Sequence, residues 1–151
     1  MDNKELALTE AVESLQEDML DFACRLVSQP SVVEHEQGAL DVMENEMSAM
    51  GLSPVRAAMD APEVAAHPGF APTPWSQEGR YSLAATRPAD ASGGKSAIFN
   101  GHLDVVSQEP LDRWERDPYK PLIADGWLQG RGAGDMKGGV AAMTCAIKAL
   151  E

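Results

Sequence analysis

Two short stretches carry the residue types that could do chemistry, and both lie in the second half of the chain. The first is His102-Leu103-Asp104, which follows a short apolar run. On an extended segment, residues two apart point to the same side, so both polar side chains would face one spot. A neutral imidazole is a good zinc ligand, and a neighbouring carboxylate can orient the ring or raise its basicity. A His-x-Asp triplet alone is weak support, because a surface histidine beside a solvated aspartate gives the same pattern.

The second stretch is the glycine-rich run at residues 130–139, which contains Asp135. An aspartate before a helix often serves as an N-cap, but that role does not explain the glycines around it. Gly138 and Gly139 come early in the expected helix, where each costs about 1 kcal/mol relative to alanine. Such a run indicates unusual backbone conformations or very close packing. A carboxylate held there could bridge two cations, and paired metals about 3.5–4 Å apart activate water for hydrolysis.

One histidine and two aspartates do not complete a two-metal centre. Each zinc takes about four ligands, and a catalytic site keeps one position for water. The remaining histidines are His35 and His67, and we expect both at the surface. We therefore expect the missing ligands to lie outside these 151 residues.

Composition restricts the classes of partner. The chain has 151 residues, 44% of them hydrophobic, and a formal net charge of −12. This predicts a folded domain that attracts cations, and it excludes nucleic acid and anionic membranes as partners. Cys24 and Cys145 lack the spacing of a disulfide framework, so we expect buried free thiols. Neither a signal peptide nor a membrane-spanning run is visible, which makes a cytoplasmic protein the default expectation.

Periodicity and turn signals place these residues on a framework of helices and strands. Thr9 is expected to cap a helix that runs to about Gln29. The further expected elements are a helix at residues 36–50, strands at 52–60, 80–88 and 96–100, a turn at 90–95, a hairpin around Asp125-Gly126 and a helix after Asp135. Residues 96–100 are expected to form a short buried strand. The prolines of residues 61–78 predict a long loop.

The order of these elements suits an α/β sheet covered by helices, with ligands beyond the carboxyl ends of the strands. The last helix reaches Glu151 without a stop signal, so the chain looks cut. A sheet interrupted there would expose an edge and apolar helix faces, and we expect the isolated chain to aggregate or to be partly disordered.

Three motifs, in this order and spacing, resemble a known family: FNGHLDVV, a tryptophan followed by DPYKP, and DGWLQGRGAGDMKGGVAAM. The family is that of the zinc amidohydrolases and metallopeptidases, which includes acetylornithine deacetylase, succinyl-diaminopimelate desuccinylase, aminoacylase and carboxypeptidase G. The resemblance is firmest over residues 96–150 and weaker over the opening helices. It implies an α/β fold with a zinc-peptidase-like mixed sheet flanked by helices, here truncated. Residues 1–151 would be the N-terminal part of the catalytic domain, without the lid or dimerisation domain.

The resemblance also implies roles for single residues. His102 would bind one zinc, Asp135 would bridge two, and Asp104 would be the catalytic carboxylate that holds and polarises His102. The peptide bond between Asp135 and Met136 would be cis. Zn²⁺ would be the cofactor, with Co²⁺ or Mn²⁺ able to replace it in such a site.

The activity implied for the intact protein is hydrolysis of linear amide bonds in N-acyl amino acids, within amino-acid metabolism. The family's Glu-Glu pair, which supplies the general base and a metal ligand, has no counterpart here, so we expect a fragment with little or no activity. A dipeptidase or carboxypeptidase acting on short peptides is the alternative, and a non-enzymatic domain that binds a metal or a partner is a third. The intact parent could form a homodimer.

Four further side chains in this region could belong to the site or to its support. We expect Trp114 and Trp127 to pack beneath the loop rather than to line a substrate mouth. Arg131 is expected to hold the glycine loop through carbonyl contacts. Lys137 is expected to be a simple cation on a helix face.

Overall fold

The computed structural model describes residues 2–88 and 93–150. The elements in chain order are α1 (Asn3–Ser14), α2 (Gln16–Val27), α3 (Gln37–Ala49), β1 (Val55–Ala58), α4 (Pro62–Ala65), β2 (Tyr81–Ala84), β3 (Leu122–Ala124), β4 (Trp127–Gln129) and α5 (Gly138–Lys148). A 3-10 turn lies at Leu111–Arg113, and a single wide helical turn at Ala133–Lys137 leads into α5. Within the described ranges, no helix is long and apolar enough to cross a membrane.

The N-terminal helical region differs from the prediction at its start. Asp2 is the N-cap, and its carboxylate accepts the backbone N–H groups of Lys4 and Glu5, while the Glu5 carboxylate accepts the Asp2 N–H. Thr9 lies inside α1, where its hydroxyl donates to the Glu5 carbonyl at 2.8 Å, so the expected cap at Thr9 is wrong. The helix is interrupted at Leu15. The reciprocal Asp2–Glu5 cap satisfies more helix-end groups than a threonine inside the same helix can.

The interior lies where α2 packs against α5 and α3. Burial follows a helical spacing along α2, since Phe22 is 2% exposed and Leu26, four residues later, is fully buried. These residues form one cluster with Ala23, Val140 and Ala141. The cysteines are free, Cys145 buried and Cys24 half-buried. The turn at Ala133–Lys137 contacts both α2 and α5, so the core lies beside the glycine-rich run.

The strands form two separate antiparallel pairs. β1 pairs with β2, with Val55 opposite Ala84, and β3 pairs with β4, with Ile123 opposite Leu128. The β3–β4 hairpin turns at Asp125-Gly126, where both residues have positive φ, of 52° and 80°, as a type I′ turn requires. An isolated parallel bridge joins Val32 to Val105. Parallel and antiparallel pairing therefore both occur, in short pieces.

Residues 96–100 do not form the expected buried strand. They have extended or irregular backbone and are exposed, with Ile98 at 94% and Phe99 at 53%. Within residues 2–88 and 93–150, no strand lies beside this segment to receive its backbone hydrogen bonds. The predicted turn at 90–95 falls partly outside the described residues.

Helix α3 has nearly the expected extent, and few of its side chains are fully buried. Ala39 and Glu46 are its buried residues. Its apolar face, made of Leu40, Met43 and Met47, borders an open groove of about 1560 Å³ between α3, α5 and residues 93–104. All three side chains are half-buried, and Met43 packs against the core cluster. Gly51 follows the helix with φ of 72°, as the predicted helix end requires.

Candidate metal centre

The segment that carries His102 and Asp104 is anchored on both sides. At its start, a Cβ on Gly101 would lie 3.0 Å from side-chain atoms of Met143 and Val140, so the backbone lies close against α5. At its end, the Val105 N–H donates to the Ser31 carbonyl at 2.9 Å. The pair of polar residues therefore emerges between α5 and the chain that follows α2.

The glycines around Asp135 are explained by backbone geometry at two positions. Gly132 has φ of 81°, and a Cβ there would lie 2.5 Å from Val105 Cγ1. A Cβ on Gly138 would lie 2.5 Å from the Ala133 carbonyl oxygen. The Asp135-Met136 peptide bond is cis, as the family resemblance implied. A larger residue at either glycine would displace the turn that holds Asp135.

The fold brings the three predicted site residues together. His102 Nε2 lies 3.1 Å from Asp135 Oδ1, across 33 positions of sequence. On the other side of the ring, His102 Nδ1 lies 2.9 Å from the Asp104 carbonyl oxygen and 3.4 Å from Asp104 Oδ1. The hydrogen bond that orients the ring thus goes to the backbone of Asp104, with its carboxylate slightly further away.

This arrangement can present two ligands to one cation. With Nδ1–H donating to the Asp104 carbonyl, the Nε2 lone pair is directed toward Asp135. Two ligands on a tetrahedral zinc, each at about 2.0–2.1 Å, stand about 3.3–3.4 Å apart. The 3.1 Å separation of Nε2 and Oδ1 is close to that distance. An imidazole nitrogen and a carboxylate oxygen are also a donor set that Zn²⁺, Co²⁺ and Mn²⁺ accept.

The ligand set is incomplete in the part of the chain that the structure describes. No group of three or more His, Cys, Asp or Glu side chains there is arranged to hold a metal ion. The Asp135 side chain is 90% exposed and those of His102 and Asp104 are nearly half exposed. The three residues can therefore be at most one wall of a metal centre, with room for further ligands.

The electrostatic surroundings of His102 favour its charged form when no cation is bound. Burial lowers the pKa of His102, but hydrogen bonds to the Asp104 carbonyl and the Asp135 carboxylate, together with the charges of both aspartates, outweigh it and raise the pKa above its ordinary value of 6.5. The same negative charges would favour a divalent cation beside the ring.

Lys137 is not the helix-face cation that the sequence suggested. It is fully buried, and its ammonium donates to the Gln29 carbonyl at 2.7 Å. Burial lowers its pKa to about 8. Sequence reasoning missed it because a single lysine after Asp-Met gives no sign that the following turn directs it inward.

Some of the other expectations around the site are met and others are wrong. His35 and His67 are exposed, as predicted. Trp114 packs as predicted, with its Nε1–H donating to the Gln108 carbonyl and the Arg131 guanidinium 5.0 Å from its ring centre. Arg131 contacts a carbonyl, but that of Ser107 rather than one in the glycine run. Trp127 is 72% exposed, so its predicted packing is wrong.

Comparison with known proteins identifies a family that the second half of the chain resembles. Residues 98–151 match the model of Peptidase family M20/M25/M40. The second half of the chain is therefore similar to this family. The resemblance expected from the sequence motifs is thus confirmed.

Two enzymes of the same name share substantial sequence identity with this chain. The chain is 40% identical over 131 residues to the succinyl-diaminopimelate desuccinylase of Methylobacterium radiotolerans, covering 87% of this chain and 29% of that protein. It is 38% identical over 130 residues to the enzyme of the same name from Cereibacter sphaeroides, covering 85% of this chain and 29% of that protein. The chain therefore spans less than a third of the length of these relatives.

Solved structures confirm the predicted fold class. The dipeptidase Dug1p of Saccharomyces cerevisiae matches 99% of this chain with a TM-score of 0.77, at 18% identity and over 32% of its own length. Human carnosine dipeptidase 1 matches 97% of this chain with a TM-score of 0.69, at 24% identity and over 31% of its length. The α/β, zinc-peptidase-like architecture is therefore shared, while these similarities carry no information on substrate.

Proposed function

We propose that residues 1–151 are the N-terminal part of the catalytic domain of a metal-dependent hydrolase that cleaves linear amide bonds in N-acyl amino acids. The observation that carries this proposal is the approach of His102 Nε2 to within 3.1 Å of Asp135 Oδ1. The remaining ligands, the general base and a lid or dimerisation domain would come from outside these residues. The 29% coverage of the desuccinylase from Methylobacterium radiotolerans supports this division.

Each of the three residues has a distinct part in the proposed site. His102 would offer Nε2 to one cation, and Asp135 would offer its carboxylate oxygens to that cation and to a second. Asp104 would fix the ring by accepting the Nδ1–H at its carbonyl, with its carboxylate adding negative charge beside the ring. Bound divalent metal, which we propose to be Zn²⁺, would supply Lewis-acid activation of water and of the amide carbonyl.

The substrate class follows from the sequence relatives rather than from the fold. Two relatives at 40% and 38% identity bear the name succinyl-diaminopimelate desuccinylase, which favours an N-acyl amino acid over a dipeptide. A dipeptidase or carboxypeptidase remains the alternative, and a domain that binds a metal without hydrolysis is the third. Cytoplasmic location and a homodimeric parent stay predictions.

Cobalt titration of the chain tests the ligand assignment. We expect weak but saturable Co²⁺ binding by the wild type in calorimetry, because this chain supplies only part of a ligand set, and we expect His102→Ala or Asp135→Asn to abolish it. His35→Ala is the matched control, because His35 is exposed and lies outside the site. Equal cobalt binding by wild type and His102→Ala would contradict the assignment.

A chimera tests the reaction. This chain would replace the matching segment of the Methylobacterium radiotolerans desuccinylase, and N-succinyl amino acids and dipeptides would be compared as substrates. We expect hydrolysis of the N-succinyl compounds, abolished by His102→Ala. Preferential cleavage of dipeptides would support the alternative enzyme, and a folded, metal-loaded but inactive chimera would support a binding domain. Turnover by the 151 residues alone would contradict the proposed division of the site.

A further inference from the structure

A three-residue segment, Gln29-Pro30-Ser31, connects the two halves of the candidate metal centre. Ser31 is fully buried, and its hydroxyl donates to the Leu103 carbonyl at 2.6 Å. Leu103 lies between His102 and Asp104. The Ser31 carbonyl in turn accepts the Val105 N–H at 2.9 Å. One residue thus holds the His102 segment through two hydrogen bonds.

The same segment also holds the Asp135 turn. The buried ammonium of Lys137, two residues after Asp135, donates to the Gln29 carbonyl at 2.7 Å. The Lys137 backbone N–H donates to the Gly132 carbonyl at 2.9 Å and closes the turn. Because helix α2 ends before Pro30, the Gln29 carbonyl can accept a hydrogen bond from a group outside the helix.

We propose that Gln29–Ser31 is a brace that positions His102 and Asp135 relative to each other. The two positioning residues are Ser31, which holds the His102 segment, and Lys137, which attaches the Asp135 turn to Gln29. The proposal rests on the proposed function only where metal affinity is measured. A buried ammonium is costly to desolvate, and the group to which this one donates is an uncharged backbone carbonyl. Because this carbonyl lies in the same segment as Ser31, the segment contacts two loops whose site residues are 33 positions apart in sequence.

A plain packing role for Ser31 and Lys137 predicts a different result from the brace. If they only fill the interior, removing either polar group lowers overall stability and leaves His102 beside Asp135 in the folded molecules. If they form the brace, the folded molecules lose the alignment of the two loops. The local geometry of the His102 ring therefore distinguishes the two roles.

The test uses Ser31→Ala and Lys137→Met, with two control variants. Ser28→Ala removes a hydroxyl that donates to the Cys24 carbonyl at the same helix end. Thr144→Val removes a buried hydroxyl that donates to the Val140 carbonyl in α5. Both controls remove a hydrogen bond without touching either loop, and Thr144→Val matches the loss of a buried polar group.

The first measurement is the ring ¹⁵N signal of His102 at one fixed pH, with His35 and His67 as internal references. We expect Ser31→Ala and Lys137→Met to move the His102 ring signals toward their positions in Asp135→Asn, and the control variants to leave them unchanged. Wild-type His102 signals in both variants, with the fold intact by circular dichroism, would overturn the brace. Unfolding of Ser31→Ala would overturn it as well, because Ser31 would then serve the whole core.

The second measurement is cobalt affinity in the same variants. Loss of groups that orient metal ligands typically weakens binding about 10–100-fold, and we expect that range for Ser31→Ala and Lys137→Met. The control variants should bind within about twofold of wild type. A wild type that binds no cobalt would contradict the proposed function, while the His102 ring signals would still decide the brace.

Discussion

The two sides of the candidate metal centre differ in how completely they are packed. On the helical side, where α2 meets α5, Phe22 and Leu26 are buried, and the buried polar groups of Ser31 and Lys137 have hydrogen-bond partners. On the groove side, Ile98 is 94% exposed and residues 93–100 have no cover among the described residues.

The contrast shows where the site obtains its geometry. His102 and Asp135 meet because the helical side holds both of their loops, through the buried cluster and the Gln29–Ser31 brace. The groove side contributes apolar surface but no contact that fixes either residue. Changes on the helical side should therefore be costly, and changes on the groove side should alter association more than stability.

Phe22→Ala should have the largest effect. Removing a buried phenylalanine leaves a cavity and typically costs about 3–5 kcal/mol, and Phe22 is 2% exposed at the centre of the cluster. Urea unfolding followed by circular dichroism measures the loss. Leu6→Ala is the control, because Leu6 is 45% exposed on α1 and should change stability by less than about 0.5 kcal/mol. Similar losses in both variants would remove the distinction between the two sides.

Glu46→Gln should have the next largest effect. The Glu46 side chain is 7% exposed and pairs with Arg25 at 2.7 Å and with Lys148. Breaking a deeply buried pair costs about 3–5 kcal/mol, and since Arg25 is 43% exposed we expect about 1–3 kcal/mol, scaled down from that range. Glu44→Gln should cost less, because the Glu44 side chain, which pairs with Arg56, is 24% exposed. Equal urea midpoints for the two variants would contradict this reading of burial.

The pH dependence of stability should reflect the ionisation of the Glu46 carboxylate. Burial raises the pKa of Glu46, but hydrogen bonds and charges from Lys148 and Arg25 outweigh it and leave the pKa below its ordinary value of 4.5. The unfolded chain then binds more protons than the folded one, so stability falls as the pH drops from about 4.5 through the lower folded pKa. Thermal melts between pH 7 and pH 3 should show a steeper loss in wild type than in Glu46→Gln.

Ile98→Ser should have the smallest effect on stability. Because the side chain is 94% exposed, we expect a change within about 0.5 kcal/mol. Association should decrease, since an apolar patch beside an open groove favours contacts between copies. Light scattering against protein concentration measures this. Val64→Ser, on α4 outside the groove, is the control, and an equal decrease there would show that the groove is not the associating surface.

Local sequence patterns predicted the elements that depend on local chemistry. The helix at residues 36–50 and the hairpin at Asp125-Gly126 follow from periodicity and from residues that tolerate positive φ. Two of the predictions that failed did so because burial depends on contacts between segments that are distant in sequence. Residues 96–100 read as a buried strand because they are apolar, yet burial needs neighbours that the described residues do not provide. Lys137 read as exposed because charge predicts exposure, yet the turn before it directs the side chain inward.

The sequence by itself determined which residues could bind a cation, because ligand chemistry belongs to single residues, and its glycine run predicted unusual backbone or close packing around Asp135. It also predicted the family resemblance, through the order and spacing of three motifs. Only the tertiary structure decided that His102 and Asp135 face each other at 3.1 Å and that Ser31 and Lys137 hold them there. Those contacts join distant segments through packing of α2 against α5, which no local pattern encodes.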